Sequence, residues 1–474
     1  MVEVNHRGLP IVTSSDALKP DPAQRALVPT DIAALLERRL SPGRMALLRL
    51  AASYAEKQGA ALYLVGGFVR DLLLGHATTD FDLVVEGDAL ALARDLAKDF
   101  GGRVVTHPRF GTAKWHLHSQ HARLRQALGV ATSDEDLPTT IDLATARTEV
   151  YDHPTALPNV ERGGIQNDLQ RRDFTINTLA IRLDGPAYGE LLDPWGGGRD
   201  LQDRTIRVLH ERSFLDDPTR VLRAVRLEVR LGFQIDPATL AFLDVSRPHL
   251  ASVSGERLRS ELDVILSEPE TSRMVARLAE LNLLSAIHTA LAWDGWLEDV
   301  FERAGRFDPP ETWGLQGASM AVALRYAVWV IRRTTAEAAS WAERLRISRQ
   351  ERAVWLQANQ LFRELPRAVA RDDKVSALTA RMESAEELAL AAVWLAHVAE
   401  PSVARAVENY LTRWRQVRPK TDGRVLLELG VPPGPVYRRL LERLRAGWLD
   451  GEITSGEQEA SFLMDWIAQE NTRG

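Results

Sequence analysis

The chain has 474 residues, above the size at which a single hydrophobic core stops growing, so two or more packed units are expected. Apolar residues make up 45% and charged residues 26%, a balance that excludes a largely disordered or fibrous chain. Net charge is −6 and cysteine is absent, so nucleic-acid binding would rest on local basic patches, while disulfide-linked partners, thiolate nucleophiles and cysteine-ligated zinc are excluded.

Residues 1 to 30 carry Pro10, Pro20, Pro22 and Pro29 with few periodic apolar positions and read as a loose extension without the apolar run of a signal peptide. A helix pair follows, punctuated by Ser41-Pro42-Gly43, its second member running from Met45 to Lys57. Short β-type runs then fall at Ala61 to Val65, Phe81 to Val85, Arg103 to Thr106, Ala113 to Leu117 and Thr140 to Ala144, with a helix at Ala89 to Asp99. Beyond about Leu201 nearly every window reads as amphipathic helix, interrupted at Pro237, Pro248, Pro309-Pro310, Pro366 and Pro432-Pro433. The fold class is therefore α+β, a mixed unit followed by an all-α remainder. The longest apolar stretch, near Leu388 to Ala399, is too short to span a bilayer, so a cytoplasmic protein with no membrane partner is expected. Arginine clusters at Arg332 to Arg352, and at Arg413, Arg415, Arg418 and Lys420 around Trp414, read as solvated helix faces or as RNA contacts.

The chemistry concentrates in the mixed unit. Gly66-Gly67-Phe68-Val69-Arg70-Asp71 passes from a strand through two glycines into a helix, a turn that brings backbone N–H groups close to a phosphate with Arg70 adding charge. Asp80-Phe81-Asp82 projects two carboxylates from one strand face, where they repel unless a cation bridges them. Mg²⁺ suits such ligands, and two ions would clamp an attacking hydroxyl and a leaving pyrophosphate, with Asp142 on a neighbouring strand as a possible third carboxylate. Arg171-Arg172-Asp173-Phe174-Thr175-Ile176-Asn177 offers two guanidinium groups to phosphates and an amide to a sugar hydroxyl. Asp216-Asp217-Pro218-Thr219-Arg220-Val221-Leu222-Arg223 places Asp217 and Arg220 at i and i+3 of a helical face, either to read a base edge or as a plain ion pair.

In this order, together with Asp193-Pro194 through Gly198-Arg199-Asp200-Leu201, these motifs resemble the class II tRNA nucleotidyltransferase and bacterial poly(A) polymerase family over about residues 60 to 235. Leu429-Gly430-Val431-Pro432-Pro433-Gly434-Pro435 and Leu449-Asp450-Gly451-Glu452 also look like the C-terminal part of these enzymes. The resemblance implies a polymerase-β-like head at 45–185 after an extension and first helix at 1–44. A base-recognising neck at 186–265, a helical body at 266–365 and a tRNA-binding tail at 366–474 follow. It implies Asp80 and Asp82 as ligands of two Mg²⁺ ions, while Asp142 stays the third catalytic carboxylate that the strand pattern alone suggests. Gly66, Gly67 and Arg70 would hold the triphosphate, Arg171, Arg172, Asp173 and Asn177 would shape the nucleotide pocket, and Asp217 with Arg220 would select CTP or ATP, with Arg223 of the same motif a further nucleotide-binding candidate. The partners implied are tRNA and CTP and/or ATP.

The chain departs from the family pattern in three places. Asp216-Asp217 stands where Glu-Asp is usual, and Thr178 where Ala is common. The segment from Thr145 through Pro158 is shorter than the charged loop of full CCA-adding relatives, which resembles enzymes that add only CC and tilts the expectation slightly that way. A poly(A) polymerase shares the head chemistry. A non-catalytic RNA-binding module, built on the Arg and Trp content of the helices, is the alternative of another class.

Overall fold

A computed structural model describes residues 31–77, 81–117, 121–129, 137–150, 159–317 and 319–471. Asp80, the first 30 residues and residues 151–158 lie outside that set. Two compact units result, Met1–Val253 and Ser254–Gly474.

In the first unit, Asp31 caps α1 (Ile32–Arg39), and Ser41 with Pro42 at the first position starts α2 (Pro42–Lys57). Then come β1 (Ala61–Val65), α3 (Gly67–Leu74), β2 (Phe81–Glu86), α4 (Ala89–Phe100), β3 (Arg103–His107), β4 (Thr112–His116), α5 (His121–Leu128) and β5 (Thr140–Thr145). The sheet order is β3-β4-β5-β2-β1-β8-β9, with β8 (Ala180–Arg182) and β9 (Leu191–Leu192) completing one edge. The β2–β5 pair is parallel and the other pairs are antiparallel. Parallel pairing places Asp82 directly beside Asp142, and residues in register on adjacent strands point to one side of the sheet, so the two side chains leave the same face.

A separate antiparallel ladder joins β6 (Arg147–Val150), inside the segment read as a shortened loop, to β7 (Asn159–Arg162) just after it. Its connecting residues 151–158 are outside the described set. Beyond it lie α6 (Ile165–Gln170), α7 (Gly197–Gln202), β10 (Thr205–Ile206), α8 (Ser213–Asp216), α9 (Arg220–Leu231) and β11 (Gln234–Ile235). The two-residue parallel ladder of β10 and β11, with an isolated bridge from Val208 to Phe174, departs from the expected helical remainder past Leu201. One core cluster gathers Tyr63, Val65, Val84, Ala146, Ile165, Leu169 and Ala180, which seats α6 against the sheet.

Every secondary-structure element among the described residues of the second unit is a helix. Pro366 does not interrupt it as expected but lies within the helix Arg349–Ala370, where Leu365 and Ala368 on either side are fully buried and packing outweighs the lost hydrogen bond. Trp313, Trp329 and Trp341 are core residues, and Trp355 stacks on the buried Tyr326 with ring centroids 5.4 Å apart. These tryptophans are therefore packing groups rather than a stacking platform for bases. Part of the arginine cluster is paired locally, Arg346 with Glu256 at 2.7 Å and Arg415 with Glu387 at 3.2 Å. Among the described residues no helix is long and apolar enough to cross a membrane.

Candidate active site

Separate segments of the first unit converge on a cavity of about 420 Å³. It is lined by Gly67 and Arg70 of α3, Asp82 of β2, Arg171, Arg172, Asp173 and Asn177, then Asp217, and finally Arg220, Arg223, Arg226, Leu227 and Arg230 along α9. Seven arginines face three aspartates, an excess of positive charge suited to a polyanionic ligand.

The turn between β1 and α3 is built by glycine. Gly66 has φ +68°, a left-handed conformation, and a Cβ there would stand 2.5 Å from Nη1 of Arg172. Buried Arg70 forks onto Asp71, Nε to Oδ1 at 2.9 Å and Nη2 to Oδ2 at 3.0 Å, while its Nη1 donates to Asn177 Oδ1 at 2.8 Å. Asn177 Nδ2 donates in turn to Asp173 Oδ1 at 2.9 Å, and Asp173 Oδ2 pairs with Arg223 Nη2 at 2.6 Å. The Asn177 amide is thus tied into the wall of the cavity. Burial pushes the Asp173 carboxyl up, but Arg223, the Asn177 amide and Arg220 together hold it below the usual carboxylate range.

Adjacent Arg171 and Arg172 share the buried carboxylate of Asp168, and Arg220 Nη2 donates to the Arg171 carbonyl at 2.7 Å while Nη1 donates to Ser213 Oγ at 2.7 Å. Asp217 and Arg220 line the same cavity but not one helical face, which corrects the sequence reading. Asp217 has φ −138° and ψ 95° and precedes the helix, since Pro218 disfavours helical backbone in the residue before it, and Arg220 is the first residue of α9. The Asp217 carboxylate accepts from Thr219 N at 3.0 Å and Thr219 Oγ1 at 2.7 Å, an Asx-type turn.

Asp82 is exposed at the cavity, with Phe81 buried behind it against Phe68 at 5.4 Å between rings. Its ladder partner Asp142 lies one strand away, about 4.8 Å in sheets generally, and pairs with Lys114 of β4 at 3.0 Å. Among the described residues no three His, Cys, Asp or Glu side chains form a metal cluster, and Asp80 is not among them. Two carboxylates leaving one face side by side are hard oxygen donors that fit Mg²⁺.

Sequence reasoning missed Arg226, Leu227, Arg230 and Asp168. The arginines were legible as a stripe, since Arg220, Arg223, Arg226 and Arg230 recur at intervals of three or four along α9, beside the buried Val221, Leu222, Ala224 and Val225. Asp193 and Gly197 matter structurally. The Asp193 carboxylate accepts from Gly197 N at 2.6 Å and Gly198 N at 2.9 Å, and a Cβ on Gly197 would lie 2.3 Å from the Thr175 carbonyl oxygen. Gly197→Ala is expected to destabilise the first unit by about 1–3 kcal/mol through overpacking, read as a lower melting temperature; an unchanged Tm would show that Thr175 yields without cost.

Residues 62–207 match the family described as Poly A polymerase head domain, and residues 232–293 match the probable RNA and SrmB-binding site of polymerase A. The chain is 34% identical over 444 residues to an A-adding tRNA nucleotidyltransferase of Geobacter sulfurreducens, spanning 90% of this chain and 48% of that relative. The chain thus spans about half the length of this relative. It is 30% identical over 417 residues to a CC-adding tRNA nucleotidyltransferase of Deinococcus radiodurans, covering 86% of this chain and 89% of that one. A CCA-adding enzyme solved in its apo form II superposes with a TM-score of 0.75 at 29% identity, covering 92% of this chain and 98% of that structure. With the sheet, the glycine turn and the arginine-lined cavity arranged as described, the chain belongs to the tRNA nucleotidyltransferase and poly(A) polymerase family.

Proposed function

We propose that this chain is a template-independent nucleotidyltransferase that extends the 3′ end of tRNA with CTP and/or ATP in the cytoplasm. The observation that carries this reading is the single cavity uniting the Asp82 carboxylate, the arginine cluster and the Asp217–Arg220 pair. In this reading the N–H groups at the start of α3, with Arg70, Arg171 and Arg172, bind the triphosphate. Asp217, Arg220 and Arg223 meet the base edge in place of a template. Asp82 and Asp142, with Asp80, would hold Mg²⁺, in this proposal two ions, whose charge when bound acidifies the 3′ hydroxyl and offsets the departing pyrophosphate. The hydroxyl oxygen bonds to the α-phosphorus as the bond to pyrophosphate breaks, and the arginines keep that geometry in line.

The relatives support A as the added nucleotide, because the A-adding one is matched at 34% over 90% of the chain against 30% over 86% for the CC-adding one. The short segment after Glu149 supports CC instead. tRNA transcripts ending before CCA, after C and after CC, each given CTP, ATP or both, separate the two by product size. A addition extends only the CC-ended transcript, by one residue and with ATP. CC addition extends the shorter transcripts with CTP and stops before A. A long ATP-dependent tail would make the chain a poly(A) polymerase, and binding without extension of any transcript would overturn the enzymatic reading.

A further inference from the structure

Resting on the proposed function, we infer that Asp168 is a positioning residue that sets the two-arginine phosphate clamp and ties it to the base-reading arginine. Asp168 is wholly buried in the short helix α6, so no substrate can touch it. Its two oxygens are divided between two neighbours. Oδ1 accepts from Arg171 Nε at 3.0 Å and Nη2 at 2.6 Å, and Oδ2 accepts from Arg172 Nη2 at 3.0 Å.

Two guanidinium groups on consecutive residues repel and would splay apart; one carboxylate between them holds both and leaves a net single positive charge at the cavity wall. The arrangement has three further anchors. Ile165 and Leu169 flank Asp168 in sequence and sit in the core cluster against the sheet, which fixes the carboxylate. Arg172 reaches over the glycine turn, its Nη1 at 2.5 Å from where a Gly66 Cβ would be. The Arg171 carbonyl receives Arg220 Nη2 at 2.7 Å, so a shift of residue 171 displaces the arginine proposed to read the base. Burial works against ionisation of Asp168, and the two arginines overcome it, keeping the carboxyl below its usual range.

The test is equilibrium binding of ATP and CTP, with Mg²⁺, to full-length wild type, Asp168→Asn, Asp168→Glu, Arg171→Ala/Arg172→Ala and the triple variant, with tRNA affinity measured in parallel. Asp168→Asn keeps the shape but presents an amide to a guanidinium. It is expected to raise the Kd for nucleotide about tenfold or more, with tRNA affinity unchanged and partial recovery in Asp168→Glu. In the double-arginine background the same exchange is expected to add little, because its target is gone. Equal nucleotide affinity of Asp168→Asn and wild type would overturn the inference, as would full additivity with the arginine changes, or parallel loss of tRNA and nucleotide binding, which marks general unfolding. Wild type that binds neither nucleotide would overturn the proposed function instead.

Discussion

Asp82→Ala is expected to lower the rate of nucleotide addition by about 10²- to 10⁴-fold, the several kcal/mol that metal-borne charge contributes to a transition state of this type. Two structural facts motivate the size of the effect. Asp82 is the carboxylate of the cavity that stands on a strand, with Phe81 locked behind it, and its ladder neighbour Asp142 is drawn toward Lys114 on the far side. Removing Asp82 would therefore leave the proposed metal site with Asp80 and a carboxylate already engaged elsewhere. Since the side chain is exposed, stability and tRNA affinity should change by about twofold at most. Single-turnover extension of tRNA and a parallel binding titration check this. An Asp82→Ala enzyme turning over at the wild-type rate would remove the metal assignment.

Exchange of Asp217 or Arg220, the pair proposed to read the base, should alter nucleotide choice before it alters rate. Asp217→Ala and Arg220→Ala are each expected to change the ratio of kcat/KM for CTP and ATP by roughly 10- to 100-fold, the value of one good two-point base contact. The two variants should differ in a second respect. Asp217 makes a local turn with Thr219, so its removal is expected to lower Tm less than removal of Arg220. Arg220 is buried, spans Ser213 and the Arg171 carbonyl, and helps hold Asp173 ionised, so its loss strips an acidic group of a cation and should also lower Tm. Steady-state kinetics with each nucleotide on the transcripts described above decide the point. Unchanged preference in both variants would end the base-reading proposal.

How much of this was legible beforehand depends on whether a feature is local. The strand Ala61 to Val65 and the helix ending at Lys57 follow from periodicity and stop signals, and they stand where expected. The glycine turn was legible because only a residue without a Cβ can take φ +68° there, and the acidic strand because alternation sends Asp82 away from the buried Phe81. Helical spacing could not reveal that Asp217 stands off the helix, although Pro218 was the available signal.

Contacts between residues far apart in the chain were beyond any local reading. That Arg70 meets Asn177, or that Arg220 meets the Arg171 carbonyl, depends on how β1, α6 and α9 pack. Asp168 is the clearest case. In sequence it is one acidic residue in a short polar helix, and nothing in its neighbourhood marks it apart from the two arginines that follow. The sequence by itself determined which segments carry the chemistry, because residue type and period are written in it. Only the tertiary structure decided which side chains face the arginine-lined cavity and which stand behind them, because burial of a charged group is set by packing partners distant along the chain.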